Sequence, residues 1–172
     1  MRASGILMHV TSLPGPNGVG TMGKEACRFL DFLERAGQRY WQILPLSPTG
    51  YGDSPYQALS AFAGNPYLID LEMLVDEGLL RREEVDGVSW SREDGRVDYG
   101  ILYENRGSIL YQAYERFLGI PNRAFQQFIQ RQQDWLQDYA LFMALKEEQG
   151  GRPWTLWPEP GGDERLSGET KV

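Results

Sequence analysis

Residues 40–71 read YWQILPLSPTGYGDSPYQALSAFAGNPYLIDL. The apolar run at residues 40–46 predicts a buried strand, and the Pro-, Gly- and Ser-rich segment after it predicts a loop. Loops that leave the carboxyl ends of buried strands carry the binding residues of many α/β proteins. Three tyrosines, Tyr51, Tyr56 and Tyr67, lie in this region. Rigid turns with amphipathic rings suit flat, hydroxyl-rich ligands, of which sugars are the first candidate.

The segment before this stretch predicts a strand followed by a helix. Residues 5–10 are apolar and run into a dense turn signal, so they predict the first strand. Residues 24–36 place apolar side chains at helical spacing, with Arg35 in the last turn and Gly37 just beyond it. Strand, helix and strand with short connections form a βαβ unit, so we expect the two strands to be parallel neighbours.

The rest of the chain is predicted to be mainly helical. A short helix, a polar region with turns and two long amphipathic helices are expected, in that order, at residues 71–80, 81–100, 103–118 and 125–148. The segment after residue 157 has few apolar residues and no periodicity, which predicts a disordered tail.

The fold class predicted from this order is α/β, and it is incomplete. Two parallel strands need cover on both faces, and a (β/α)8 barrel needs at least ~250 residues, so the chain is expected to be part of something larger. Three segments follow from this reading. They are the first βα units with the loop at 1–71, a mainly helical insertion at 72–157 and the tail at 158–172.

Composition excludes several classes of function. The formal net charge is -7 with no basic stripe, so nucleic acid is not expected as a partner. Cys27 is the single cysteine and His9 the single histidine, which excludes an intrachain disulfide and a Cys/His zinc cluster. The apolar run near the N-terminus is too short for a signal peptide or a membrane span. A cytoplasmic location is therefore expected.

Several stretches closely resemble the 4-α-glucanotransferases, also called amylomaltases or disproportionating enzymes. The resemblance is carried by SGILMHVTSLPGP, AGQRYWQILPL, PTGYGDSPYQALSAFAGNPYLIDL, RVDYGILY and WLQDYALFMALK. The chain departs from the family pattern at Val10, where proline is usual, at Asn17, where an aromatic residue is common, and at Ser47, where glycine is usual. The segment after Pro158 does not resemble the family.

The resemblance implies that this chain is the N-terminal part of a (β/α)8 barrel with a helical insertion. It implies transfer of α-1,4-glucan segments between malto-oligosaccharides, with retention of configuration through a covalent glycosyl-enzyme. In the family, the catalytic carboxylates come from later barrel strands, so no catalytic residue is assigned here and the isolated chain is predicted to be inactive. The missing C-terminal part of the barrel is then its partner. No cofactor or metal is implied.

The resemblance also assigns substrate-binding residues. Tyr56 matches the tyrosine that stacks under the sugar at the cleavage subsite, although a tyrosine packed in a turn gives the same local pattern. Ser54 and Asp53 share the loop, where both are also ordinary turn formers. Tyr51 and Tyr103 match a second glucan-binding patch found in some members, and Tyr103 is equally well explained as a residue at a helix start.

The remaining conspicuous residues have structural interpretations. His9 is expected to hydrogen-bond a neighbouring backbone group, Asp70 to cap the next helix and Cys27 to be a small buried side chain on the helix face. Trp135 and Tyr139 lie at helical spacing, which favours core packing. Trp154 and Trp157 flank a proline-bounded loop and receive no assignment.

A second class of function stays open. A stand-alone, non-catalytic glucan-binding module that uses Tyr51, Tyr56 and Tyr103 fits the same residues. Such a module should fold without help, whereas a fragment of a barrel should expose hydrophobic strand edges and aggregate. An unrelated acidic α+β protein would require the long loop match to be accidental.

Overall fold

The computed structural model describes residues 2–50, 52–93 and 95–158. Most of the predicted tail lies outside these residues. The described chain mixes helices with strands and forms two compact units that divide between Arg123 and Ala124. The predicted segments at 1–71 and 72–157 are a different, functional division and stay a prediction.

The first unit begins with a βαβ arrangement. Strand β1 (Gly5–Leu7) and strand β2 (Tyr40–Gln42) pair in parallel, with Gly5 opposite Tyr40, and helix α1 (Lys24–Arg35) connects them. The predicted parallel pairing is confirmed. The indole Nε1 of Trp41 donates a hydrogen bond of 2.7 Å to the carbonyl of Met8, which ties the side chain of one strand to the end of the other.

Both strands are shorter than the predicted ranges of residues 5–10 and 40–46. After Met8 the chain turns into a 3-10 helix at Val10–Ser12, and after Gln42 it continues without ladder pairing. Pro45 has no N–H to donate to a ladder. The sheet also has only two strands among the described residues, so no further strand extends either edge.

The remaining helices of the first unit follow β2. They are α2 (Leu71–Asp76), α3 (Arg82–Asp86) and α4 (Tyr99–Leu118). Helix α2 stops short of the predicted residue 80 because Gly78 takes a positive φ of 75°. Helix α4 starts earlier than predicted because the Asp98 carboxylate caps it, accepting from the Ile101 amide at 3.1 Å.

The region at 81–100 is not the simple polar stretch that the sequence predicted. Helix α3 lies within this region. Val85 of α3 and Trp90, which follows the helix, are both part of the main core of the first unit. The Trp90 indole donates to the carbonyl of Val85 at 3.0 Å. Charged residues around these two hide them from a simple hydrophobicity pattern.

The second unit corrects another expectation. The predicted continuous helix at 125–148 is two helices, α5 (Arg123–Arg131) and α6 (Gln133–Glu148). Gln132 leaves helical geometry, and its side-chain oxygen accepts from the Trp135 indole at 2.7 Å. Trp135 and Tyr139 contact each other with ring centroids 6.1 Å apart, but both are only half-buried, so the expected core position is not reached.

Cys27 is exposed, which contradicts the prediction of a buried side chain. Helix α1 buries only a narrow face, formed by Ala26 and Leu33. Cys27 lies about 100° around the helix from Ala26, because each residue advances by that angle. Spacing alone predicted a wider apolar face than the helix uses.

Asp70 joins three parts of the first unit. One carboxylate oxygen accepts from the Met73 amide at 2.9 Å and caps α2, which confirms the predicted cap, while the other accepts from the Thr21 hydroxyl at 2.5 Å. Gly23 lies so close that a Cβ atom there would overlap the Asp70 carboxylate. The neighbouring carbonyl of Ile69 accepts from Arg106 of α4 at 2.5 Å.

Glu84 makes a second charged junction in the first unit. Its carboxylate accepts two hydrogen bonds from Arg116, at 2.5 and 2.8 Å, and two from the Arg81 guanidinium, at 2.6 and 2.9 Å. The Arg81 backbone amide donates to it as well, at 2.8 Å. The hydrogen bonds with these arginines hold the pKa of Glu84 well below its ordinary value. Arg116 also donates to the Leu79 carbonyl at 2.8 Å, so this side chain connects α4 both to α3 and to the segment between α2 and α3.

Replacement of Asp70 should lower the free energy of opening of α2 by more than the loss of a helix cap alone would. Asp70→Ala removes the cap and the Thr21 partner, so α2 is expected to open more easily by about 2–3 kcal/mol, measured by hydrogen exchange of its amides. Asp98→Ala is the matched control, because Asp98 also caps a helix, α4, and its one other contact is an exposed ion pair with Arg92. The control should cost about 1 kcal/mol. Equal effects of the two variants would contradict the junction role.

Glu84 should make stability depend on pH. The pKa of Glu84 is lowered in the folded state. Its contribution to the free energy of unfolding is therefore complete above the ordinary pKa of 4.5 and is lost as the pH falls towards the folded-state pKa. Glu84→Gln should therefore lower the urea midpoint at about pH 7, and its gap to the parent should narrow towards about pH 3. Glu83→Gln, on the same helix, controls for the change of charge. A gap that stays constant with pH would contradict the assignment.

Candidate functional site

The loop that follows β2 is a small hairpin. Thr49 and Ala58 form an antiparallel bridge, and the Leu59 amide donates to the Pro48 carbonyl at 2.9 Å. Two tight turns fill the hairpin, since the Asp53 amide donates to Gly50 and the Gln57 amide to Ser54. Proline, glycine and serine are the residue types that such turns favour.

Asp53 has the least ordinary backbone in this loop. It is a non-glycine residue with a positive φ of 53°, and it follows Gly52, whose φ is 93°. Such a conformation is strained for a residue with a side chain and persists where surrounding contacts fix it. Burial raises the pKa of the Asp53 carboxyl. The loop thus holds a partly desolvated acid at a defined position.

A cleft of about 220 Å³ opens where this hairpin meets the carboxyl ends of β1 and β2. Five stretches of the first unit line it, namely the segments after β1 and after β2, the hairpin, the 3-10 helix Pro66–Leu68 with the residue before it, and the start of α4. The lining residues are His9, Thr11, Ser12, Leu44, Pro45, Leu46, Thr49, Asp53, Pro55, Asn65, Tyr67, Leu68 and Tyr99. Ligands of parallel α/β folds bind at this end of the strands.

His9 lines the cleft directly after β1. Its Nδ1 atom is buried without a hydrogen-bond partner, so the backbone hydrogen bond expected from the sequence is not formed at that atom. Burial lowers the pKa of the imidazole, which keeps it neutral near pH 7. A neutral imidazole offers one donor and one acceptor, and Nδ1 is a buried atom whose hydrogen-bonding capacity the described residues leave unsatisfied.

Asn65, Tyr67 and Tyr99 form a second part of the cleft lining, here called the Tyr67 wall. The backbone amide of Asn65 donates to the Leu46 carbonyl at 2.7 Å, and the side-chain oxygen of Asn65 accepts from the backbone amide of Tyr67 at 2.9 Å. The rings of Tyr67 and Tyr99 lie 6.4 Å apart. Burial, and next the negative charge of Asp53, raise the pKa of Tyr67, so its hydroxyl stays protonated and able to donate.

A buried arginine of α4, Arg106, donates a hydrogen bond to the carbonyl of Ile69, directly after this wall. Arg106 has no exposed surface, and its Nε and Nη1 atoms have no hydrogen-bond partner. Burial lowers its pKa to about 10, against the opposing effects of Asp70 and Tyr67. Its guanidinium lies 5.9 Å from the centre of the Trp90 ring, a cation–π distance that offsets part of the desolvation cost.

The structure brings together only some of the residues that the sequence singled out. Asp53 lines the cleft, and Ser54 is half-buried beside it. Tyr56 is 74% exposed on the same hairpin and does not line the cleft, while Tyr103 is 77% exposed on α4. Tyr51 lies outside the described residues.

Sequence reasoning missed other lining residues. Asn65 and Thr49 fall inside the quoted loop stretch, but nothing in their spacing distinguishes lining residues from turn residues. Tyr67 was noted among the three tyrosines of that stretch but was given no binding role of its own. Tyr99 was missed because α4 begins earlier than its apolar pattern indicates. The signal that would have found it is Asp98, a helix-capping residue type directly before it.

The cleft can bind a polar, hydroxyl-bearing ligand. Its lining combines hydroxyl, amide, imidazole and carboxyl groups with a few aliphatic side chains, which is the usual balance of a small-molecule site. Within the part of the chain that is described, no group of three or more His, Cys, Asp or Glu side chains is arranged to hold a metal ion. None of the described helices is long and apolar enough to cross a membrane.

Comparison with known proteins gives a consistent answer. A family model described as 4-alpha-glucanotransferase matches residues 8–167. The 4-alpha-glucanotransferases of Thermus thermophilus and Streptococcus pneumoniae are 55% and 48% identical to this chain. Each alignment covers 92% of this chain and 32% of the relative, so the chain spans about a third of the length of these curated relatives.

A solved structure agrees with the sequence comparisons. The amylomaltase from Streptococcus agalactiae, determined in complex with acarbose, superposes with a TM-score of 0.87 at 44% identity. The match covers 92% of this chain and 32% of that one. By sequence and by structure, this chain belongs to the 4-alpha-glucanotransferase family.

Proposed function

We propose that this chain is the N-terminal part of a 4-α-glucanotransferase, which transfers α-1,4-glucan segments between malto-oligosaccharides. The observation that carries the proposal is the polar cleft at the carboxyl ends of β1 and β2. In a (β/α)8 barrel, which is the complete fold we propose, active sites form at that end of the strands. Membership of the family supports the same reaction class.

In this proposal the hairpin binds one glucosyl unit of the substrate. Asp53 and Ser54 accept or donate hydrogen bonds to sugar hydroxyls, and Tyr56 stacks on the apolar C–H face of the ring. The exposure of Tyr56 supports this role, because its ring is available to a ligand that approaches over the hairpin. Tyr103, together with Tyr51, forms a second glucan-binding patch.

The covalent chemistry is assigned to the rest of the protein. Transfer with retention needs two carboxyl groups roughly 5 Å apart, one as nucleophile and one as acid/base. Among the described residues, Asp53 is the one acid in the cleft lining. In line with the family resemblance, we assign the catalytic pair to later barrel strands, and this chain supplies substrate-binding groups. Neutral His9 contributes a hydrogen bond to substrate without titrating near pH 7.

A non-catalytic glucan-binding module remains the second candidate. The exposed rings of Tyr56 and Tyr103 favour it, because surface aromatics hold a glucan without chemistry. The two candidates differ in how the isolated chain behaves. A module should be monomeric in sedimentation, whereas a barrel fragment should self-associate through the open edges of its two-stranded sheet. We propose a cytoplasmic location for either, since a lone cysteine fits a reducing compartment.

The isolated chain should not turn over substrate. Incubated with maltotriose, it is expected to release no glucose and build no longer oligosaccharides, because the carboxylate pair is elsewhere. Chromatography of the products measures this. Turnover that purifies with the chain and disappears in a Tyr56→Ala variant would overturn the assignment of catalysis to the rest of the protein.

Tyr56 should matter once the barrel is complete. We suggest a chimera in which this chain replaces the matched segment of the Streptococcus agalactiae amylomaltase. There, Tyr56→Ala should lower kcat/KM for maltotriose roughly 10- to 1000-fold, about 1.4–4 kcal/mol at the transition state.

Tyr40→Ala provides the matched control for this experiment. Tyr40 is another tyrosine, 66% exposed, but it lies at the start of β2, away from the cleft. Its replacement should leave the rate within a factor of about two. An unchanged rate in the Tyr56 variant would remove Tyr56 from the substrate site.

A further inference from the structure

Tyr67 lines the cleft, yet the function proposed above gives its side chain no part. The residue is half-buried, and its backbone amide donates to the side chain of Asn65 at 2.9 Å. Its hydroxyl forms no hydrogen bond with any residue that the structure describes. A phenol hydroxyl can both donate and accept, so this group keeps its full hydrogen-bonding capacity at the cleft.

Hydrogen bonds from distant parts of the first unit hold the short segment that carries Tyr67. Before it, the backbone amide of Asn65 donates to the segment after β2. After it, the Leu68 carbonyl accepts from the Met22 amide at 2.9 Å, and Arg106 of α4 donates to the next carbonyl at 2.5 Å. Because these partners belong to different elements, a shift of Tyr67 would break at least one of the hydrogen bonds.

The ring of Tyr67 is held by packing as well. It packs against the main core of the first unit, which contains Leu71 and Leu102, and its centre lies 6.4 Å from that of the Tyr99 ring. A side chain that is already restricted loses little conformational freedom when a ligand binds. A hydrogen bond from the Tyr67 hydroxyl would therefore contribute to affinity with a small entropic cost.

The electrostatic surroundings of Tyr67 favour a hydrogen-bond donor. Burial, and next the negative charge of Asp53, raise the pKa of the phenol, and Arg106 opposes them. The hydroxyl therefore keeps its proton near pH 7. Asp53 also lines the cleft, so a donor and an acidic acceptor face the same space. Sugar hydroxyls accept from one group while they donate to another, which makes such a pair complementary to them.

We propose that Tyr67 is a specificity-determining residue of the cleft, whose hydroxyl donates a hydrogen bond to one hydroxyl of a bound glucosyl unit. Tyr56 contacts the face of the sugar ring, whereas Tyr67 recognises a single hydroxyl group. The proposal rests on the proposed function, because it takes the glucan as the ligand. A ligand that lacks this hydroxyl should bind more weakly, since it leaves the donor unpaired.

Binding of methyl α-maltoside and its monodeoxy analogues to the full chain, measured by saturation-transfer NMR titration, tests the proposal. The informative variant is Tyr67→Phe, which removes the hydroxyl and keeps the ring beside Tyr99. Tyr139→Phe is the matched control, because Tyr139 is also half-buried, burial also raises its pKa, and it does not line the cleft. Hydrogen exchange of the Met22 amide, which donates to Leu68, measures whether the segment keeps its position.

Tyr67→Phe should bind methyl α-maltoside roughly three- to tenfold more weakly, as expected for the loss of one hydrogen bond. One monodeoxy analogue should bind the parent chain more weakly by a similar factor. Tyr67→Phe should bind that analogue as well as the parent does, because the partner hydroxyl is already absent. This failure of the two losses to add identifies the hydroxyl that Tyr67 recognises. Tyr139→Phe should match the parent for every ligand.

An unchanged affinity in Tyr67→Phe, or losses that add for every analogue, would overturn the assignment. Equal losses for all analogues together with faster exchange of the Met22 amide would also overturn it, and would give Tyr67 a structural role instead. The proposed function fails in a different way. A parent chain that binds none of the maltosides would contradict that function and this inference with it, whereas normal binding by the parent and by Tyr67→Phe removes Tyr67 alone.

Discussion

The carboxylate of Asp70 is the contact on which the rest of the first unit depends. One oxygen caps α2 and the other accepts from Thr21, so a single side chain fixes the start of one helix against the segment that leads into α1. Gly23 leaves the space that this approach needs. The residues just before Asp70 form the Tyr67 wall of the cleft. The position of that wall therefore follows from a charged side chain that itself never touches the cleft.

Arg106 extends this constraint to α4. A fully buried guanidinium is costly, and its hydrogen bond to the Ile69 carbonyl leaves two of its nitrogens unpaired. The negative charge of Asp70 and the ring of Trp90 compensate for part of that cost. Because α4 cannot rotate without breaking this contact, Tyr99 stays at the cleft. Packing inside the first unit thus sets which residues are offered to a ligand.

Sequence patterns predicted what depends on neighbours along the chain. The parallel strands, helix α1 and the Asp70 cap follow from turn residues, helical spacing and an aspartate before an apolar run. Patterns failed where burial depends on distant contacts. They extended both strands too far, buried Cys27 and joined α5 to α6 across Gln132. The same limit applies to the cleft. Asp53 was proposed as a binding residue because of its place in the loop, whereas nothing in the sequence near His9 indicates that its Nδ1 atom is buried without a partner.

The pairing of Gly5 with Tyr40 has a consequence for how the chain acquires its structure. The two strands are far apart in sequence, since Gly5 pairs with Tyr40 and the whole of α1 lies between them, so their pairing closes a long loop before it gains contacts. Non-local parallel pairing of this kind is slow to form. We expect helix α1 to form first and the two strands to pair in a later kinetic phase. Partner strands that add to the edges of this pair would then find a template whose register is already set.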